Sequence, residues 1–220
     1  QIRNSPAPHL IALGLLLALT VAMFAEALFA SKPVVLSSGD TDLLQQFIYW
    51  REFGFRELRQ GNLALWNPHL FSGAPFFGGF QSALLYPPNL LFLLLPLAKA
   101  INWSIALHVF LAGAFVYGWT AHRGLHPLGC FLAAVMFMFG GAHFLHIYAG
   151  HLSNLCAMVW APLLFLAIDG WFEKPALGWC LLGMLAVAMQ ILAGHPQYVF
   201  YTGVGAGVYC VLCLVRAGER

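Results

Sequence analysis

The sequence predicts an all-α protein that spans a membrane: a polytopic bundle of about six transmembrane helices, with one long outer loop after the first. Hydrophobic residues make up 61% of the 220 residues and charged residues only 8%, with a mean hydropathy of +0.79. A soluble domain carries about 25% charged residues. The apolar residues also fall in runs of roughly 20, the length that crosses a bilayer. The formal net charge of +2 provides no basic surface for nucleic acid.

Six apolar runs supply the predicted spans, and short polar connections separate most of them. The spans are expected at about 9–30, 101–121, 125–147, 155–171, 177–193 and 198–215. The apolar stretch 89–96 is too short to cross and is expected to be re-entrant or interfacial. The chain begins with Gln1 and stops just after an apolar run. We therefore expect 1–220 to be a single transmembrane domain that is a fragment, the N-terminal portion, of a longer polypeptide.

The outer loop, about 31–85, differs in composition from the spans. From Asp42 to Gln60, apolar residues recur at three- and four-residue steps, which predicts an amphipathic helix in the membrane interface. Asp42 is the expected N-terminal cap, with Gln45 as its partner, and Gly61 is the expected stop. The proline, glycine and aromatic residues that follow predict ordered turns rather than strand or helix.

Lysine and arginine in the short loops predict the orientation. If the spans alternate, the loops around His151 and His195 share one side and contain neither cation. The other side carries Arg3, Arg123, Lys174, Arg216 and Arg220. Cytoplasmic loops are enriched in these cations. We therefore expect the N-terminus in the cytoplasm and the 31–85 loop outside.

Two aspartates follow the first span directly. A carboxylate of Asp40 or Asp42 at this place could bind a divalent cation or take a proton from an attacking hydroxyl. The alternative for Asp42 is that it only caps the interfacial helix, which contributes about 1 kcal/mol. The two roles are compatible, because a capping carboxylate keeps its second oxygen free.

Four histidines are expected to gather near the same outer face, namely His143, His146, His151 and His195. Histidine can ligate metals or carry protons. Their spacing does not identify a metal site, and polar residues lining a hydrated helix end would give the same pattern. Within the spans, Gln190 is expected to hydrogen-bond to a neighbouring helix, and Asp169 to pair with Lys174.

Arginines on the interfacial helix have two interpretations. Arg51, Arg56 and Arg59 could meet phosphate groups of lipid or substrate. They could equally form a solvated helix face with no further role. Composition and spacing leave both interpretations open.

Several motifs in order carry a resemblance to a known family. The outer loop reads DLLQQF from Asp42, RELRQGNLALWNPH from Arg56, FSGAPF from Phe71 and QSALLYPPNLL from Gln81. Later stretches read GHLSN at 150–154 and AGHPQY at 193–198. Over about 39–201 the chain resembles the YfhO-like family, bacterial membrane proteins similar in plan to the GT-C glycosyltransferases.

The resemblance implies a fold and a chemistry. GT-C enzymes carry a catalytic acid in the first outer loop, and Asp42 matches it by position, with Asp40 as its neighbour. These enzymes move a sugar from a polyprenyl-phosphate donor to an acceptor outside the membrane. Where they often have a second acid, in the next outer loop, this chain has His151. The only cofactor that the resemblance suggests is a divalent cation, and the expected location is the bacterial cytoplasmic (inner) membrane.

The same resemblance implies roles for the remaining site residues. The three arginines would help to hold the phosphate, Trp66 and Tyr86 would stack on the sugar, and His151 and His195 would line the same site. The second functional hypothesis is a non-catalytic scaffold subunit that contacts lipid and protein partners in a larger membrane complex. A transporter is the third and least supported, because only His108 and Gln190 place polar groups near mid-membrane.

Overall fold

The computed structural model describes residues 6–218, and most of them are helical. Arg3 and Arg220, which the predicted orientation used, lie outside the described residues. The helices are α1 (Ala7–Leu28), α2 (Ile48–Arg59), α3 (Leu91–Leu94), α4 (Leu97–His122), α5 (Pro127–Met138), α6 (Gly141–Tyr148), α7 (Leu152–Met158), α8 (Ala161–Glu173), α9 (Leu177–Leu192) and α10 (Pro196–Gly218). The only strands in the described part are β1 (Trp66–Asn67) and β2 (Ala74–Pro75).

The predicted transmembrane bundle is confirmed. Five helical stretches are long and apolar enough to cross a membrane: Ala7–Leu28, Leu97–His122, Pro127–Tyr148, Leu152–Glu173 and Pro196–Arg216. The remaining predicted span, 177–193, corresponds to α9, an apolar helix of 16 residues that is shorter than the five spans. The protein is therefore an integral membrane protein.

Two of the spans are broken, which the sequence patterns did not indicate. Between α5 and α6, Gly140 is extended and interrupts the helix. Between α7 and α8, the chain turns at Val159 and Trp160, and Pro162 follows at the start of α8. Proline has no N–H to continue the helical hydrogen bonds of the preceding turn. Each break separates an outer short helix, α6 or α7, from the rest of its span.

Helix α4 forms the centre of the bundle and packs against α1, α5, α7 and α8. Its buried residues include Ile101, Ile105, Val109 and Ala112. Gly113 allows a close approach, because a Cβ there would lie 2.7 Å from the sulfur of Met138. Of the two polar residues predicted at mid-membrane, Gln190 is confirmed as an interhelical donor, since its amide donates to the Thr202 hydroxyl at 3.1 Å.

The helix ends separate into two faces, as the predicted alternation requires. One face carries Arg123, Lys174 and Arg216. There the Asp169 carboxylate accepts hydrogen bonds from Tyr209 Oη at 2.5 Å and Trp119 Nε1 at 2.7 Å, and Arg123 lies 3.2 Å away. The predicted pairing of Asp169 with Lys174 is wrong, because the structure pairs this carboxylate with Arg123 and places it between α4, α8 and α10. We call the opposite face the outer face.

The predicted interfacial helix is present at the outer face. It begins with a π-helical turn, Leu43–Phe47, and continues as α2 to Arg59. Its buried side meets the long loop: Phe55 stacks on Phe92 with ring centroids 5.1 Å apart. Gly54 is also buried, and a Cβ there would lie 2.6 Å from Leu84. The helix thus covers the loop that leads to α4.

The rest of the long loop contains more regular structure than its composition indicated. Strands β1 and β2 pair in antiparallel register, Trp66 opposite Pro75 and Asn67 opposite Ala74. Short 3₁₀ turns occupy Phe77–Gly79 and Pro87–Leu90. The expectation of neither strand nor helix here is therefore wrong in detail. The connection between the strands contains three successive residues of positive φ, Phe71, Ser72 and Gly73.

Candidate functional site

The segment before the predicted catalytic acid is attached to α1 and α4. Lys99 Nζ donates to the carbonyls of Leu28 at 2.8 Å and Ala30 at 2.5 Å, which occupies carbonyls left free where α1 ends. Asn102 is fully buried in α4. Its amide donates to Ala27 and Val34, and its oxygen accepts from Leu36 N at 2.9 Å. The chain leaving the first span therefore has a fixed path.

The same segment is joined to the α6–α7 corner. Ser38 N donates to the carbonyl of Tyr148 at 3.1 Å. Gly150, at φ +75, sits against the start of the interfacial helix, where a Cβ would lie 2.7 Å from both Leu43 N and Thr41 Oγ1. Only glycine adopts this conformation readily and leaves room for such an approach. The contact brings the residues on either side of Gly150 next to Asp42.

Asp42 does not act as the predicted cap. Its own backbone is already helical, at φ −53 and ψ −32, and in the described part of the chain its side chain makes no capping hydrogen bond. The carbonyl of Thr41 instead accepts from Leu44 N and Gln45 N. The predicted capping pair of Asp42 and Gln45 is therefore wrong. A capping residue has a non-helical backbone, whereas the backbone of Asp42 is already helical.

The carboxylate of Asp42 instead faces His151. Asp42 Oδ2 lies 3.5 Å from His151 Nε2, and the Asp42 side chain is 48% exposed. The acid is thus oriented by a neighbour and still open to solvent. Asp40, the neighbouring candidate, is exposed and has a left-handed backbone at φ 52, and the described residues give it no ion pair.

A chain of hydrogen bonds continues from His151 into the bundle. His146 Nδ1 lies 3.1 Å from His151 Nδ1, and His146 Nε2 lies 2.5 Å from the hydroxyl of Tyr198. One assignment of protons satisfies every contact with neutral imidazoles. Tyr198 then donates to His146, His146 donates to His151, and His151 carries its proton on Nε2, the nitrogen nearest the Asp42 carboxylate. This chain links the outer loop to α10, and its tyrosine was not among the predicted site residues.

His195 lies beside this chain, as the sequence predicted for the outer face. Its ring centroid is 5.3 Å from that of Tyr198. Partial burial, with the nearby His151, lowers the pKa of His195, which favours its neutral form. His143 is buried and packs edge-to-face against Phe137, with ring centroids 5.0 Å apart. His143 is therefore a core residue, whereas the other three gather at the outer face.

Arg51 is not on the solvated side of the interfacial helix. It is buried, and Nη1 donates to the carbonyls of Gln81 at 2.9 Å and Ser82 at 2.6 Å. Its guanidinium also lies 5.9 Å and 5.8 Å from the ring centroids of Phe47 and Phe92. Burial lowers the pKa of Arg51 to about 10, so that the group remains charged at neutral pH. Arg51 holds the loop in place, and phosphate would reach it only if these bonds opened.

The other two arginines lie at the surface. Arg56 is exposed on the polar side of α2, as predicted. Arg59 is exposed as well, and its Nη2 donates to the carbonyl of Phe92 at 2.5 Å. Arg56 therefore retains its hydrogen-bonding capacity, whereas part of that of Arg59 is used in holding the start of α3.

The two aromatic candidates have different environments. Tyr86 is 1% exposed, and its hydroxyl bonds to His108 Nε2 at 2.6 Å and accepts from Trp160 Nε1 at 2.8 Å. Burial raises the pKa of Tyr86, which keeps the phenol protonated. Tyr86 therefore lies in the core, and stacking on a sugar would require it to leave these partners. Trp66 is 55% exposed, and its indole lies against Gly73.

The potential metal ligands do not form a group. Among residues 6–218, no set of three or more histidine, cysteine, aspartate or glutamate side chains lies close enough to hold a metal ion. Asp42 and His151 provide two potential ligands at most. The site as it stands is a carboxylate–imidazole pair that can accept a proton, placed at the outer face beside the interfacial helix.

Comparison with protein-family models, with curated proteins and with solved structures found no match to this chain.

Proposed function

We propose that the protein is the membrane-embedded part of a glycosyltransferase that uses a polyprenyl-phosphate sugar at the outer face of a bacterial cytoplasmic membrane. The proposal joins the resemblance to the YfhO-like family with one observation. Asp42, at the position of the catalytic acid, makes no cap in the described structure, is half exposed and lies 3.5 Å from His151. An acid placed in this way is available to act as a base.

In the proposed reaction, Asp42 takes the proton of an acceptor hydroxyl. The acceptor oxygen forms a bond to the anomeric carbon of the sugar, and the bond between that carbon and the phosphate oxygen breaks. The polyprenyl phosphate leaves with the electron pair. His151 Nε2 lies 3.5 Å from Asp42 Oδ2, which leaves Oδ1 free to receive the proton.

Transfer of a labelled sugar in membranes that contain the full-length protein tests this role. Asp42→Asn preserves shape and the contact with His151 but removes the charge and the proton acceptor. We expect transfer to fall by about 10²–10⁴-fold, the usual contribution of general-base catalysis. The thermal stability should stay unchanged, because no cap is lost. Asp40→Asn is the matched control and should retain transfer. Full activity in Asp42→Asn would remove Asp42 from the site.

A scaffold subunit remains the second proposal, and one observation favours it. Helix α10 exposes large apolar residues along much of its length, including Phe200, Val204, Val208 and Val211. Such a face can meet lipid or the helices of another protein. If the unmutated protein transfers no sugar from several polyprenyl-phosphate donors and co-purifies with a membrane complex, the scaffold role is the better explanation.

A further inference from the structure

A groove at the outer face is separate from the Asp42–His151 pair. It lies between the polar side of the interfacial helix and the turn 67–71, with a volume of about 680 Å³. Cavities of about 300–1,000 Å³ are typical of small-molecule sites. The residues that line it on the helix side include Gln45, Tyr49, Glu52 and Arg56. Its first residues lie one helical turn after Asp42.

The helix presents a row of unused hydrogen-bonding groups to this groove. Gln45, Tyr49, Glu52 and Arg56 follow one another at steps of four, three and four residues, which places them on one helix face. Within the described residues none of these side chains has a hydrogen bond or ion pair, although Glu52 and Arg56 are four residues apart. Opposite charges at this spacing are close enough to pair on a helix. This row is therefore free to bind a ligand.

Aromatic rings form much of the remaining wall. Phe53 packs edge-on against His69 at 5.6 Å and against Phe76 at 5.0 Å. On the opposite side, Asn67 Oδ1 accepts from His69 N and fixes the turn. Phe71 is 94% exposed and has a left-handed backbone at φ 50. A bulky residue adopts this conformation at a cost, and such strain is often found at binding sites.

The chemistry of this groove is that of a site for a neutral polyhydroxylated ligand. One acid and one base give no net charge, so neither a polyanion nor a polycation is favoured. Carboxylate, guanidinium and amide groups can bond to hydroxyls in pairs, and exposed rings such as Tyr49 offer apolar faces for a sugar to stack on. We propose that the groove binds a neutral oligosaccharide. This goes beyond the proposed transfer, since it requires neither Asp42 nor a lipid-linked donor.

Binding to immobilised oligosaccharides tests the proposal. The full chain in nanodiscs, carrying a fluorescent label, is applied to an array of neutral, phosphorylated and sialylated oligosaccharides. We expect binding to neutral members, weakened about tenfold in Glu52→Gln because a charged hydrogen-bonding group is lost. Glu57→Gln is the matched control, because Glu57 lies on the same helix but does not line the groove. Tyr49→Leu should also weaken binding.

Three outcomes of this experiment would contradict oligosaccharide binding. Binding to no oligosaccharide, binding only to the anionic ones, or equal effects of Glu52→Gln and Glu57→Gln would each overturn the proposal. Thermal unfolding of each variant shows that loss of binding is not loss of fold. The binding assay contains no lipid-linked donor. Its result is therefore independent of whether the protein transfers sugar.

Discussion

Replacing Gly150 by alanine tests how the outer site is held together. Gly150 has a φ of +75, and an added Cβ would lie 2.7 Å from Leu43 N and 2.8 Å from Leu43 Cβ. Alanine in the left-handed conformation costs about 1–2 kcal/mol. Crowding into a packed contact adds about 1–3 kcal/mol, because here backbone and a Cβ must shift. The expected loss of stability is therefore roughly 2–5 kcal/mol.

Gly61→Ala is the matched control for this variant. Gly61 has a φ of +80, close to that of Gly150, but nothing lies within 4 Å of its added Cβ. Gly61→Ala should lose only the stability that a left-handed backbone costs alanine, about 1–2 kcal/mol. Thermal unfolding in detergent measures both variants, and each kcal/mol corresponds to a shift in Tm of about 2–4 °C for a chain of this size.

Two results would refute this reasoning. Equal shifts in Gly150→Ala and Gly61→Ala would mean that the corner between α6 and α7 does not press on the interfacial helix. A larger shift in Gly61→Ala would have the same meaning. If the contact exists as described, Gly150→Ala should also reduce sugar transfer in the full-length protein, because Leu43 and the adjoining Asp42 must move away from His151.

Three further predictions concern parts of the framework. Arg51→Met should destabilise the fold by about 2–4 kcal/mol, because two buried carbonyls lose a charged donor; a variant as stable as the parent in thermal unfolding would contradict it. Asn102→Leu removes one hydrogen bond to the end of α1 and two to the chain after it, and should destabilise this region by about 2–4 kcal/mol. Limited proteolysis should then cleave the 31–42 segment faster than in the parent protein, and equal rates would contradict the prediction. With the native cysteines replaced, Asp40→Cys should react with an impermeant thiol reagent from outside intact cells and Lys174→Cys only after permeabilisation; the reverse labelling would invert the proposed orientation.

The fold was predictable from the sequence wherever local spacing and length determine structure. The spans follow from runs of about 20 apolar residues, and the interfacial helix from the recurrence of apolar residues between Asp42 and Gln60. The breaks near Gly140 and Trp160 were missed, because their apolar surroundings conceal them from a hydropathy pattern. A glycine pair at 140–141 and Pro162 were the available signals.

The site was less predictable, because its contacts join distant parts of the chain. Arg51 was expected at a polar surface, but its bonding partners, the carbonyls of Gln81 and Ser82, lie about 30 residues away. Tyr86 was assigned to a sugar site, whereas its hydroxyl is used by His108 and Trp160. Helical spacing alone does not reveal which loop folds back over a polar side chain. The gathering of histidines at one face was predicted, since it depends only on the alternation of spans.

The π-helical turn at the start of the interfacial helix sets the rotational phase between Asp42 and the groove that begins at Gln45. Ile48 N bonds to the carbonyl of Leu43, five residues back, so that this turn holds one residue more than an α-helical turn. A regular α-helical turn over 43–47 would leave both regions unchanged in sequence. In a regular α-helix, however, each residue advances the direction of side chains by about 100°. Asp42 would then turn away from His151, or the row from Gln45 to Arg56 would turn away from its groove, and the two could not be used together.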